Sequence, residues 1–175
     1  ALLTYLHVLE HIRDLDSVLN EAHRVLTADG HILIEVPDAE HYSRQPVGSA
    51  FWVGIREHIF HFSARSLMEA LGRHGFHVLN ARRSILPSTG FDYPSLMVVA
   101  KKGSSNTQSC CEPGDNIADF ILSSRQALLE QAQKITALAQ GHSSVTFWGI
   151  SSELFSLLPL LGDQQYFLCD ASLQK

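Results

Sequence analysis

Two short β-type runs, at residues 2–7 and 31–36, flank one helical pattern, and this order constrains the fold more than any other feature of the chain. Between the runs, Leu15, Val18, Leu19, Ala22, Val25 and Leu26 recur at steps of three and four, the spacing of a single buried helix face. Strands joined through a helix need a crossover, so the two runs are expected to lie parallel in one sheet. Open sheets of this kind take ligands beyond the carboxyl ends of their strands. The polar group His7, Glu10 and His11 stands at the first of those ends, where a site is therefore expected.

After Pro37 and Asp38, residues 39–62 show no period and carry Pro46, Gly48 and Gly54 among the aromatic residues Tyr42, Phe51, Trp52 and Phe60. A loop of that length reads as a lid or binding loop. Ser63 is a good N-cap, and Leu67, Met68 and Leu71 give a helix at 64–74 its apolar face before Gly75 stops it. Residues 76–84 read as a strand with Phe76, Val78 and Ala81 on one side, 87–94 as a turn-rich excursion, and 95–100 as a continuous apolar strand. The polar stretch 101–115, KKGSSNTQSCCEPGD, marks a boundary. Beyond it Asn116 caps a long helix, 117–139, with Ile117, Phe120, Ile121, Leu128, Ile135 and Leu138 along one face and Gly141 at its end. A strand at 145–148, a turn at Gly149, a helix at 152–161 broken by Pro159 and a strand at 166–169 complete the pattern. The expected division is a first domain at 1–102, a linker at 103–116 and a second small α/β unit at 117–175.

Composition narrows the function. With 45% hydrophobic and 18% charged residues the chain has an ordinary globular balance. A formal net charge of −5 gives no electrostatic reason to expect nucleic acid or an anionic membrane as partner. No apolar run approaches the roughly 18 residues that span a bilayer. Cys110, Cys111 and Cys169 are odd in number and two are adjacent, which favours free thiols in a reducing cytoplasm over a disulfide framework.

The chemical motifs are few. His7, Glu10 and His11 match the letters of an inverted zinc-protease signature, H-x-x-E-H, but His7 ends a strand, where the required helical face is not available. His58 and His61 lie one helical turn apart without a carboxylate or cysteine at ligand spacing, so no metal site is expected. No G-x-S-x-G elbow is present for serine catalysis. Glu57 and His58 are the best candidates for acid–base chemistry: histidine titrates near neutrality, and a converging carboxylate would raise its basicity. Gly149-Ile150-Ser151-Ser152 with Asp170 is a partial dinucleotide fingerprint lacking its second and third glycines, and reads as the start of a second, Rossmann-like structural unit rather than a cofactor site. The aromatic set Tyr42, Phe51, Trp52, Phe60 and Phe62 is expected to pack rather than to stack on a ligand.

The run HVLEHIRDLDSVLNEAHRVLTADGHILIEVPD resembles the second half of a class I S-adenosylmethionine-dependent methyltransferase, and REHIFHFS resembles the E-H-x-x-x-F-S segment of such enzymes, particularly the sugar C-methyltransferases. The resemblance covers residues 1 to about 102, with a looser similarity beyond. It implies a Rossmann-like α/β sheet closed by an antiparallel last strand, with S-adenosylmethionine as cofactor. It also implies that Leu6, His7, Val8 and Leu9 line the methionine end of that cofactor, and that Glu57 and His58 match the last two residues of the segment carrying the proposed base. The acceptor is then a small molecule, with a nucleotide-linked sugar as one class. Ile55 stands where those sugar enzymes carry tyrosine, and Gly90-Phe91-Asp92-Tyr93-Pro94 replaces their Gly-Gly-type loop. No Gly-x-Gly pair occurs in the chain, so it is expected to be the C-terminal half of a larger enzyme, inactive alone. A non-catalytic scaffold is the alternative reading.

Overall fold

The computed structural model describes residues 1–55, 57–88, 91–103 and 114–171. Cys110 and Cys111 lie outside them. The chain forms two units, one of residues 1–46 and 55–117, the other of residues 47–54 and 118–175.

In the first unit, β1 (Leu2–Leu6) leads through a 3-10 turn (Leu9–His11) to helix α1 (Leu15–Val25) and strand β2 (His31–Pro37). β1 and β2 pair in parallel from Leu2 opposite His31 to Leu6 opposite Glu35, as a helical crossover demands. Asp14 caps α1 by accepting the Ser17 N–H at 3.0 Å. Leu19 and Ala22 are buried and Leu15 and Val18 are partly so, but Val25 is exposed. The expected stripe narrows at its end because the backbone leaves the helix at Leu26, whose extended conformation turns its own side chain inward.

A second 3-10 segment (Ala39–Arg44) follows β2, then helix α2 (Ser49–Gly54), which belongs to the second unit. Helix α3 (Ala64–Arg73) starts at Ser63, whose hydroxyl accepts the Ser66 N–H while Ser66 Oγ accepts the Ser63 N–H, closing a capping box. Gly75 ends it with φ of 76°, a conformation that favours glycine, and packs against the His23 ring where a Cβ would meet Nε2 at 3.0 Å.

Strands β3 (Phe76–Pro87) and β4 (Asp92–Lys102) form a long antiparallel hairpin, and β4 also pairs antiparallel with β2. The sheet order is β1-β2-β4-β3. The inserted antiparallel strand matches the sequence expectation, and the paired strands run into the expected excursion, Pro87 pairing with Asp92 and Ile85 with Pro94. A register shift between Val78 and Asn80 explains why the inward residues run 76, 78 and 81; the extra residue, Leu79, is turned outward.

The core lies on the sheet face covered by α1 and α3. Ile32, Ile34 and Val36 of β2 and Leu96, Val98 and Ala100 of β4 meet Leu19 and Ala22 of α1 and Leu67 and Leu71 of α3. Burying each such aliphatic side chain contributes about 1.5–3 kcal/mol.

The second unit contains α2, helix α4 (Ile117–Ala139, assigned from Ala118 onward to this unit), strand β5 (Ser144–Trp148), helix α5 (Ser152–Leu157), a 3-10 turn (Leu158–Leu160) and strand β6 (Gln165–Cys169). β5 and β6 pair in parallel, and Ala132, Leu157 and Leu161 form a small core. Among the described residues no helix is long and apolar enough to cross a membrane.

Ile34 is fully buried at the centre of the first unit's core. Ile34→Ala is expected to lower stability by about 2–5 kcal/mol through lost transfer energy and a residual cavity. Urea unfolding followed by circular dichroism measures the change.

Candidate active site at the end of the first strand

β1 ends where the backbone of His7 turns left-handed, with φ of 51°. This is uncommon for a residue other than glycine, and it is held here by a hydrogen bond from the His7 N–H to the Glu35 carbonyl at 2.8 Å. The chain then coils into the 3-10 turn. Leu6 and Val8 are exposed along the lip, His7 is partly exposed, and Leu9 is fully buried in the core. Leu9 thus anchors the lip from below, while Leu6, His7 and Val8 present the surface.

Glu10, the next residue, is also fully buried. Its backbone carbonyl accepts the N–H groups of Ile59 at 2.7 Å and Phe60 at 3.2 Å, which ties the segment after α2 onto the turn. His11 adds a third tie, its Nδ1 lying 2.9 Å from the carbonyl oxygen of Glu57. A carbonyl oxygen only accepts, so Nδ1 carries the proton. His58 is thereby brought edge-on to His11, with ring centroids 4.9 Å apart.

Of the residues singled out by sequence, His7, Glu10, His11 and His58 come together. Glu57 is exposed and takes part through its backbone carbonyl. The carboxylate whose charge reaches His58 is that of Glu10. Neighbours in an irregular segment need not point the same way, whereas the clamp at the Glu10 carbonyl forces residues 57–60 against the turn.

The electrostatics follow from this enclosure. Interaction with the Glu10 carboxylate, 3.3 Å from Nδ1, raises the pKa of His7 against the opposing effect of burial, with Glu35 assisting. For His58, burial dominates and lowers the pKa, the attraction of Glu10 being further offset by His11, His61 and His7. His61 is lowered by burial and sits 3.3 Å from the hydroxyl of Tyr42. Tyr93, whose ring meets His7 edge-on, has its phenol pushed up to about 12 by burial and by Glu10.

Of the five aromatic residues, Tyr42, Trp52 and Phe62 are buried and Phe60 packs against the core, leaving them no role as a stacking platform. Trp52 and Phe51 belong to the second unit. In that unit Asp170 accepts the Ile150 N–H at 2.8 Å, so the acid of the partial fingerprint closes its own turn.

A second polar cluster escaped sequence reasoning. Asp38, almost fully buried, accepts hydrogen bonds from the Arg83 Nε at 2.8 Å and from the Glu40 N–H at 3.2 Å, and lies 2.6 Å from the His41 Nδ1. Glu40 binds the Arg83 guanidinium, the Ala64 N–H at the start of α3, and the Gly114 N–H. Its partners are 24, 43 and 74 positions away, beyond any local spacing rule. A cavity of about 410 Å³ opens beside it, lined in part by Asp38, His41, Arg44, Arg83 and Asp92.

The family model described as a methyltransferase domain matches residues 1–81. No curated protein matches the chain. Among solved structures, the chain is similar to a Bacillus halodurans protein described as a methyltransferase, with 16% identity, 59% of this chain and 64% of that chain covered, and a TM-score of 0.44. It is similar also to a SAM-dependent methyltransferase from Methanosarcina mazei, with 16% identity, 59% of each chain covered and a TM-score of 0.45. The chain spans less than two thirds of the length of either.

The Glu40 network of the first unit makes its stability depend on pH. Burial works against the charge of Glu40, but the N–H groups of Ala64 and Gly114 and the Arg83 guanidinium together overcome it and hold the carboxyl below its ordinary value near 4.5. A depressed folded pKa gives stability that is present above the unfolded value and lost as pH falls through the folded one. Stability is therefore expected to fall on acidification below about pH 4.5, and Glu40→Gln to flatten that part of the profile. Urea midpoints measured across a pH series check both.

Proposed function

We propose that this chain contributes to methyl transfer from S-adenosylmethionine to a small-molecule acceptor. The match of residues 1–81 to a methyltransferase domain carries the reading. The parallel β1–β2 pair supports it by setting the Leu6-His7-Val8 lip at the carboxyl ends of its strands, where sheets of this class receive nucleosides. Under this reading Leu6, His7 and Val8 approach the methionine end of the cofactor and Leu9 holds them in place from the core. Methyl transfer is an in-line displacement at the sulfonium methyl: the acceptor atom forms the new bond as the sulfur–methyl bond breaks, and the sulfur keeps the electron pair. The protein's part is to hold donor and acceptor in that line.

A carbon acceptor must also lose a proton. His58, kept neutral by burial, stands in the cluster that would receive it, and Glu57 serves through the carbonyl that orients His11. The cavity beside Asp38 is the acceptor space nearest the end of β2, and its size suits a small molecule. A nucleotide-linked sugar, the class implied by the sequence resemblance, is the acceptor to try first. Arg44 and His41 at that cavity would face its phosphates.

The test is calorimetric titration with S-adenosylhomocysteine, of this chain alone and of this chain accompanied by a Gly-x-Gly half of such a domain, followed by transfer of labelled methyl to a panel of acceptors. Binding and transfer in the accompanied state are expected, with no binding by the chain alone. Failure in the accompanied state would leave the scaffold reading in its place.

A further inference from the structure

A fully buried carboxylate ordinarily has hydrogen-bond donors or a cation beside it, because desolvating an ion costs several kcal/mol. Neither carboxylate oxygen of Glu10 has a hydrogen-bond partner among the described residues. His7 Nδ1 is 3.3 Å from Oε1, a charge pairing without hydrogen-bond alignment. On the other side His11 Nε2 lies 3.7 Å from the same oxygen. Since the His11 Nδ1 proton is given to the Glu57 carbonyl, a neutral His11 ring presents the lone pair of Nε2 to an anionic oxygen. Two lone pairs so placed repel unless a positive charge lies between them.

His58 completes the geometry. Its Nδ1 is buried without a hydrogen-bond partner among the described residues. One ligand atom each from Glu10, His11 and His58 lies within 4.8 Å of the others. Ligands 2.0–2.2 Å from a tetrahedral metal stand about 3.3–3.6 Å apart, so the Glu10–His11 pair is already close to that spacing. The carbonyl that fixes the His11 tautomer is the outer partner that metal-binding histidines characteristically have.

We propose that Glu10, His11 and His58 bind one divalent transition-metal cation of the zinc or iron type, with at least one coordination position left open. Two imidazoles and one carboxylate select such ions over magnesium or calcium, which prefer all-oxygen surroundings. The sequence could not show this set: Glu10 and His11 are adjacent, and His58 is 47 positions beyond His11. The inference goes beyond methyl transfer and does not depend on it. With the cation bound, His11 and His58 are ligands, so the proton-accepting part given to His58 above belongs to the metal-free chain, and the open position is where an acceptor oxygen or water would sit.

The test is titration of the chelator-treated full chain with Co²⁺, followed by visible absorption, with Zn²⁺ and Mg²⁺ as competitors. One Co²⁺ per chain is expected, with ligand-field bands that stoichiometric Zn²⁺ abolishes and excess Mg²⁺ does not. His11→Gln and His58→Gln should each weaken binding by more than about 100-fold, beyond the roughly 10–100-fold typical of outer-sphere changes. His61→Gln, outside the set, should leave it unchanged. Glu10→Gln tests the third ligand, with thermal melting by circular dichroism to establish that the variant is folded. The proposal is overturned by absence of saturable Co²⁺ uptake in the native chain, by uptake unaltered in the His11→Gln, His58→Gln double variant, or by equal loss in His61→Gln.

Discussion

The double hydrogen bond onto the Glu10 carbonyl organises the functional end of the first unit. Two N–H groups from residues 59 and 60 converge on one oxygen at the mouth of the sheet, and the carbonyl of residue 57 returns a contact to His11. These ties turn a long irregular segment into a wall of the site. The close approach of His11 and His58 depends on them, because none of the described residues of 55–62 lies in a helix or strand. Burial supplies the rest. Leu9 and Phe62 are sunk in the core on either side of the clamp, so moving it would expose apolar surface as well as break hydrogen bonds.

The regular elements were readable because their causes are local. Ser63 announces helix α3 by its side-chain cap, Gly75 stops it by its positive φ, and the 76–78–81 spacing already contains the bulge at Leu79. The strand–helix–strand order told the direction of β1 and β2 before any coordinates. Reading failed where partners are distant in the chain. Arg83 neutralises Asp38 and Glu40 from 45 and 43 positions away. The carboxylate facing His58 was sought next to it at Glu57 and is found at Glu10, since packing across the turn outweighs adjacency in sequence. The aromatic residues of 39–62 showed no period because that segment divides: Tyr42 goes to one core, and Trp52 lies in the other unit.

The second unit shows how a familiar pattern can be spent on structure. Gly149 takes φ of 93°, Ser151 caps the short α5, and Asp170 at the end of β6 receives the Ile150 N–H. Each polar group of the turn thus completes a backbone hydrogen bond. With two strands among its described residues, such a unit depends on helix packing for its stability, and α4 supplies Ala132 to its core.

Gly103, Gly114 and Asp115 are each fastened to the first unit by backbone N–H groups. The Gly103 N–H binds the Gly75 carbonyl, while the N–H groups of Gly114 and Asp115 bind the side chain and backbone of Glu40. A change of length would be costly in the turn between Leu6 and Ile12, where the left-handed His7, the buried Leu9 and the Glu10 carbonyl each hold a fixed place.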